Sequence, residues 1–509
     1  MYKKLLKKSK MKALTSSYDD QFEVSTELSK MVGFVQSIIC ESSDVVQRDI
    51  KIADKMKATL FYVNGLSKID LVDNNVIKPI MQVTPETIDG MTPDGILEEL
   101  SQHVVNLSSF SIHVSFDRAL HSLMSGDTLL LIDGIDKLVV LGTRGYEKRG
   151  IEEPKSEVVI RGPRDGFIED LQTNMVLLRR RISNPSFILQ TGEIGKRTKI
   201  KYCLAYMKGI ANEKLVDEIR YRIACIDIDE VLETGTLEQL IEDNVMSPFP
   251  QLMHTERPDK TTASLMNGQV VILVDGTPYS LIAPITFQEL LKSPEDYYDR
   301  WHIGTLIRII RYLAAFFALF LPSLYIAMVT YHHGMLPTTL ALSIAGSREG
   351  VPFPAFLEAF LMEITIELLR EAGIRLPRAI GQTIGIVGGL VIGDAAVRAG
   401  FVSPVMIIVV AITAIASFAI PSYSFSIALR MLRFSFMIAA SIFGLYGIVI
   451  SYILINIHLV GLRSFGSYYT SPFAPFNYKD WLDLLYRAPL SLLRSRTDEP
   501  KTLDDKKQS

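Results

Sequence analysis

The sequence predicts an α/β soluble half of two tandem, duplicated units, followed by an α-helical domain that spans a membrane several times. Three observations carry this. Charged residues crowd positions 1–300, whereas the long apolar runs lie in 301–460. The block SLMSGDTLLLIDG at 122–134 returns as SLMNGQVVILVDG at 264–276, which argues for two copies of one supersecondary plan. Residues 312–331 carry no charge, and that length crosses a hydrocarbon core of about 30 Å.

Taken in order, residues 1–30 read as a basic, mobile leader. Its lysines are accompanied by no apolar stretch of the kind a signal peptide needs. The first α/β unit is placed at 31–157 and the second at 158–300. LFYVNGL at 60–66 resembles LAYMKGI at 204–210, and each precedes a helical pattern. Asp133-Gly134 and Asp275-Gly276 each sit between apolar runs, the signature of a tight hairpin turn. A linking helix is expected over 165–182, with Asp165 able to cap it and Leu171, Met175, Leu178 and Ile182 as its apolar stripe. Arg179, Arg180 and Arg181 end that helix, where cations suit the dipole. They read either as a solvated or intersubunit salt-bridge face or as a cluster for phosphate or a partner carboxylate.

The block SPFPQLMHTERPDK at 247–260 holds three prolines and is expected to be a fixed loop. His254 within it stands alone. The first 300 residues contain no Gly-rich phosphate loop, nucleophile elbow or paired metal motif, which argues against an enzyme and calls for no cofactor and no metal. A net charge of −3 gives no reason to expect nucleic acid. Three scattered cysteines make no disulfide framework and are read as reduced.

The transmembrane domain is placed at 301–460, with spans at 312–331, 379–397, 404–420 and 434–458, and the tail 461–509 on the cytoplasmic side with the soluble half. Four spans leave Arg370, Arg375, Arg378, Arg430 and Arg433 outside, against the positive-inside rule. Five would instead strand the basic tail there. Two unlike helices mark the middle of this domain. One, at 354–371, carries Glu358, Glu363 and Glu367. Glu363, Glu367, Arg370 and Glu371 share a face, which suits an amphipathic interfacial helix with that face in water or the lining of an aqueous vestibule. Glu358 lies off that face. The second, at 379–397, has Gly381, Gly385, Gly389 and Gly393 at a spacing of four, a stripe for close helix packing. Its opposite face presents Val387, Val391 and Asp394. In a ring of identical subunits those residues would line a pore, with valines gating by dewetting and a carboxylate ring favouring cations.

The blocks RGPRDGFIEDLQTNMVLLRRRI, SPFPQLMHTERPDK, SPEDYY, VPFPAFLEAFLMEITIELLREAGIRLP and IGQTIGIVGGLVIGDAAVRAGFVSP resemble the A subunit of GerA-type spore germination receptors. The resemblance runs from about residue 30 to 475. It implies a nutrient receptor in the spore inner membrane, acting with a transporter-like B subunit and a lipoprotein C subunit. It also implies a homo-oligomeric ring, read as a pentamer, that conducts monovalent cations. It carries over no catalytic residue. Two other readings are a related membrane protein that amplifies germination and a secondary transporter with its own substrate. A transporter should show its repeat in the membrane half, whereas here the visible repeat is in the soluble half.

Overall fold

The structure is a computed structural model and describes residues 18–39, 41–145, 153–154, 157–375, 393–504 and 506–507. The chain divides into two compact units. Residues 1–242, 252–284 and 494–509 form the first, and 243–251 and 285–493 form the second.

The first unit holds two five-stranded antiparallel sheets. Helix α1 (Leu28–Ile39) is followed by β1 (Val45–Ile52), β2 (Met56–Val63), β3 (Phe110–His113), α2 (Phe116–Met124), β4 (Thr128–Ile132) and β5 (Leu138–Leu141). Helix α3 (Leu171–Arg181) opens the second run. After it come β6 (Phe187–Ile194), β7 (Ile200–Met207), α4 (Glu213–Ala224), α5 (Thr234–Ile241), β8 (Met253–Thr255), α6 (Pro258–Met266), β9 (Val270–Val274) and β10 (Ser280–Ala283). The strand orders are β1-β2-β4-β5-β3 and β6-β7-β9-β10-β8, so the two sheets are wired alike.

Uniform apolar strands such as Leu129-Leu130-Leu131-Ile132 form because both faces of the sheet are covered. Side chains alternate along a strand. Leu129 and Leu131 pack with α1 and α2, while Leu130 and Ile132 meet the helical segments between Val72 and Val105.

Asp133-Gly134 and Asp275-Gly276 occupy matching places, where β4 turns into β5 and β9 into β10. The glycines have φ of 81° and 85°, a region in which a Cβ is unfavourable. Five residues separate the strands at each turn, and the aspartates have a second task. Asp133 Oδ1 accepts from the Leu28 amide at 3.2 Å, and Asp275 Oδ1 accepts from the Leu171 amide at 3.1 Å. Each carboxylate therefore satisfies an orphan donor at the start of α1 or α3. The linking helix begins at Leu171 rather than 165, capped by Asp170, whose side chain accepts from the Thr173 amide.

The second unit is mainly helical. Its elements are α7 (Trp301–Thr330), α8 (Thr338–Arg348), α9 (Ala355–Arg375), a short helix Gly393–Arg398, α10 (Pro404–Phe418), α11 (Tyr423–Phe443) and α12 (Leu445–Gly461). Helices α7 and α11 have the length and composition of membrane spans. Helix α7 runs through Pro322 without interruption.

The expected span 434–458 is corrected. Gly444, with φ of 59°, ends α11 and starts α12, so the apolar run is a helical hairpin and not one helix. The two arms are antiparallel: the Phe249 ring lies 6.2 Å both from Phe425, near the start of α11, and from His458, near the end of α12. A Cβ on Gly447 would collide with the Ala439 carbonyl, so glycine is required for this close approach.

Residues 494–509 belong to the first unit and are tied to it. Arg496 Nε donates to the Met266 carbonyl at 2.7 Å, and the Leu503 amide donates to the Ile210 carbonyl at 3.0 Å.

Candidate functional site: buried charge in the two units

In the first unit the three consecutive arginines of α3 do not act as a cluster. Arg179 is buried, 1% exposed, Arg180 is exposed, and Arg181 pairs with Asp165 at 2.6 Å. Arg179 reaches across to the stretch between α1 and β1. Its Nε and Nη2 donate to the two carboxylate oxygens of Asp44, each at 2.9 Å. Nη2 also donates to Ser42 Oγ at 2.9 Å, and Nη1 to the Phe187 carbonyl at 2.7 Å. A bidentate Arg–Asp pair with its remaining donors satisfied is the form in which a buried pair is well held. It joins the segment that leads into the first sheet to the helix and strand that open the second.

The helical unit buries charge in a different way. Glu358 and Glu363 on α9 are 0% and 1% exposed. Of the face expected to lie in water, Glu363 is packed inside the unit, Glu367 is half-buried and Glu371 is exposed, so the water-facing reading is corrected at Glu363 alone. Glu358 pairs with Arg348 at 2.8 Å and accepts from the Ser403 amide at 3.0 Å, which fixes the start of α10. Glu363 lies 2.9 Å from Arg433 of α11. Glu367 is shared by three guanidinium groups: Arg430 at 2.7 Å, Arg370 at 3.3 Å and Arg433 at 3.3 Å. Apolar packing flanks these pairs, with the Phe360 and Phe434 rings 5.7 Å apart.

This network bears on three of the five arginines that conflict with four spans. Arg370, Arg430 and Arg433 are held by α9 carboxylates within helices and are not loop charges. The arginines were visible as residues, but their partners lie 63 or more positions away for Arg430 and Arg433. No local spacing pointed to them.

A second buried cluster fixes the base of α7. Asp296, with its side chain 0% exposed, pairs with Arg308 at 2.9 Å and Arg311 at 2.7 Å. Arg308 also pairs with Asp483 at 2.7 Å, and Asp483 takes the Tyr297 hydroxyl at 2.6 Å and Lys292 at 3.1 Å. Burial works to raise the Asp483 carboxyl, but Lys292 and Arg308 outweigh it and hold the group well below the usual range. The SPEDYY block supplies Asp296 and Tyr297, so its role is to seat α7.

Of the expected pore and packing residues, Gly381, Gly385, Gly389, Val387 and Val391 lie outside the described residues, as do 1–17 of the leader and Cys40. Gly393 is described; a Cβ there would make only ordinary contact, 3.9 Å from Ile407. Asp394 is exposed and pairs with Arg398 at 2.8 Å, one turn along its own short helix.

The Bacillus/Clostridium GerA spore germination protein model matches residues 34–499. Spore germination protein GerLA of Bacillus cereus is 43% identical over 95% of this chain and 96% of its own length. The uncharacterized membrane protein YfkQ of Bacillus subtilis is 43% identical over 88% of this chain and 86% of its own. Among solved structures, the N-terminal domain of the A subunit of the Bacillus megaterium spore germinant receptor GerK3 is 34% identical. It covers 52% of this chain and 98% of the domain, with a TM-score of 0.42.

Proposed function

The chain belongs to the GerA spore germination protein family, and on that premise we propose that it is the membrane subunit of a nutrient germinant receptor. In this reading it sits in the spore inner membrane beside a transporter-like B subunit and a lipoprotein C subunit. Copies of it assemble into a ring, a pentamer, whose nutrient-gated opening releases monovalent cations and starts germination. The role is that of a receptor and channel, not an enzyme. The two like-wired sheets are read as a duplication on the cytoplasmic side.

The observation that carries the reading is the burial of Glu363 and Arg433 between α9 and α11, inside an apolar helical unit. Ionisable groups at such a depth are costly and are kept where charge must be handled. The return of residues 494–509 to the first unit adds support for topology. In this reading the soluble unit and the tail share the cytoplasmic side, which goes with an even number of crossings. On the pore reading, residues 387, 391 and 394 face the ring axis.

The test is the purified full chain in planar bilayers under a potassium gradient, with its mass measured in detergent. A ring that passes potassium supports the proposal. A monomer that leaves the bilayer silent overturns it.

A further inference from the structure

The shared carboxylate of Glu367 leaves the α9–α11 charge network under-neutralised. Among the described residues, five ionisable side chains form it. Arg370, Arg430 and Arg433 are cationic and Glu363 and Glu367 anionic, so the balance is one positive charge. Among the described residues, the buried Nε atoms of Arg370, Arg430 and Arg433 and Nη1 of Arg433 have no hydrogen-bond partner. An unsatisfied donor on a buried charged group costs more than a neutral one would. Glu363 Oε1 is likewise without a partner, so among the described residues four unused donors face a single unused acceptor.

A cavity of about 330 Å³ lies against two of these arginines, Arg370 and Arg430, and not against Arg433. Glu367, Arg370 and Glu371 come from α9, and Arg430 comes from α11. Arg430 lines it while only 9% exposed. The rim is apolar and open: Ile374 and Met431 are each 61% exposed, and Tyr423 is 54% exposed. Tyr423 is also the first residue of α11, whose positive dipole end favours an anion nearby. The other lining carboxylate, Glu371, is paired with Arg375 at 2.6 Å.

We propose that this cavity binds the phosphodiester headgroup of an acidic phospholipid, with Arg370 and Arg430 as its ligands and the acyl chain laid along Ile374 and Met431. One negative charge closes the balance. The open apolar rim singles out a lipid over a free phosphate, which would leave Ile374 and Met431 facing water. The inference rests on the membrane reading above and adds a ligand to it.

The experiment uses the full chain and lipid vesicles. Flotation with phosphatidylcholine vesicles tests the membrane reading by itself. The headgroup is then tested by counting phosphatidylglycerol retained per chain after exchange into detergent. Arg430→Gln removes a ligand but also strips a partner from Glu367, so Met431→Glu is the cleaner variant. Met431 is exposed and lies outside the ion pairs, and a carboxylate there repels an anion and competes for the cavity arginines while leaving every present ion-pair member in place.

The expected result is preferential retention of phosphatidylglycerol over phosphatidylcholine, about tenfold weaker in Met431→Glu and unchanged in Met431→Leu. Millimolar inorganic phosphate should not displace the lipid. Displacement by phosphate would mean a free-anion site and overturn the lipid assignment. Equal retention of the two lipids, or full retention in Met431→Glu, would overturn the site while leaving the membrane reading intact. A chain that does not float at all would sink both.

Discussion

Arg179 in the first unit and Arg433 in the second are each 1% exposed, yet they are held in opposite ways. Arg179 meets both oxygens of one aspartate, a serine hydroxyl and a backbone carbonyl. Arg433 pairs with Glu363, shares Glu367 with Arg370 and Arg430, and leaves Nε and Nη1 without partners among the described residues. The first arrangement uses its donors to lock one geometry. The second keeps donors in reserve, as a site that takes a ligand or changes state requires. Burial alone does not separate a bolt from a site; satisfaction does.

The largest effect that tests this contrast is at Asp44. Asp44→Ala leaves the Arg179 charge buried and unpaired, at a cost of about 3–5 kcal/mol. The thermal midpoint of the first unit in the full chain should fall by on the order of 10 °C. An unchanged midpoint would mean the lock is idle. The matching change in the second unit is the pair Glu363→Gln with Arg433→Met. Because Arg433 starts with donors unmet, removing both charges should alter stability by less than about 1.5 kcal/mol. A loss as large as that of Asp44→Ala would erase the distinction.

The sequence could not foresee either arrangement, for the same reason. Arg179 sits in a run of three arginines at a helix end, where a dipole explanation suffices, and Asp44 is 135 positions away. Glu363 and Glu367 repeat at i, i+4 as a solvated face would, and only the tertiary fold sets α11 against them. The Asp-Gly pairs were legible because a turn is a local event: glycine at positive φ between two apolar runs needs nothing distant. Even there the capping of α1 and α3 was hidden, since Asp133 serves a residue 105 positions earlier in the chain. The hairpin at Gly444 was missed because composition is uniform across it. One glycine in an apolar run looks the same whether it continues a helix or ends it.

Those two aspartates give the next test, now within the first unit. Asp133→Ala and Asp275→Ala each remove an acceptor from a helix start, at a cost of about 1 kcal/mol. Matching partners predict matching costs, readable as equal shifts in urea midpoint. A clearly unequal pair would mean that one turn carries load its counterpart does not.

The smallest effect concerns a third way of burying charge, which uses a proton in place of a partner. Glu238 on α5 is half-buried. Burial first, then the neighbouring carboxylates Glu242 and Glu233, push its carboxyl up from 4.5 to about 7. The folded state therefore holds a proton that the unfolded chain releases between those values. The stabilisation is complete below pH 4.5 and is lost as pH rises through 7. Screening by nearby water keeps the effect below about 1 kcal/mol. Glu238→Gln mimics the protonated form at every pH. It should leave the midpoint of the first unit unchanged at pH 4 and raise it slightly at pH 8, flattening the pH profile between them. Asp44→Ala should lower that midpoint at both pH values, because a guanidinium stays charged across the whole range. If Glu238→Gln shifts the midpoint equally at pH 4 and pH 8, the carboxyl does not take up a proton on folding, and pairing alone accounts for buried charge in the first unit.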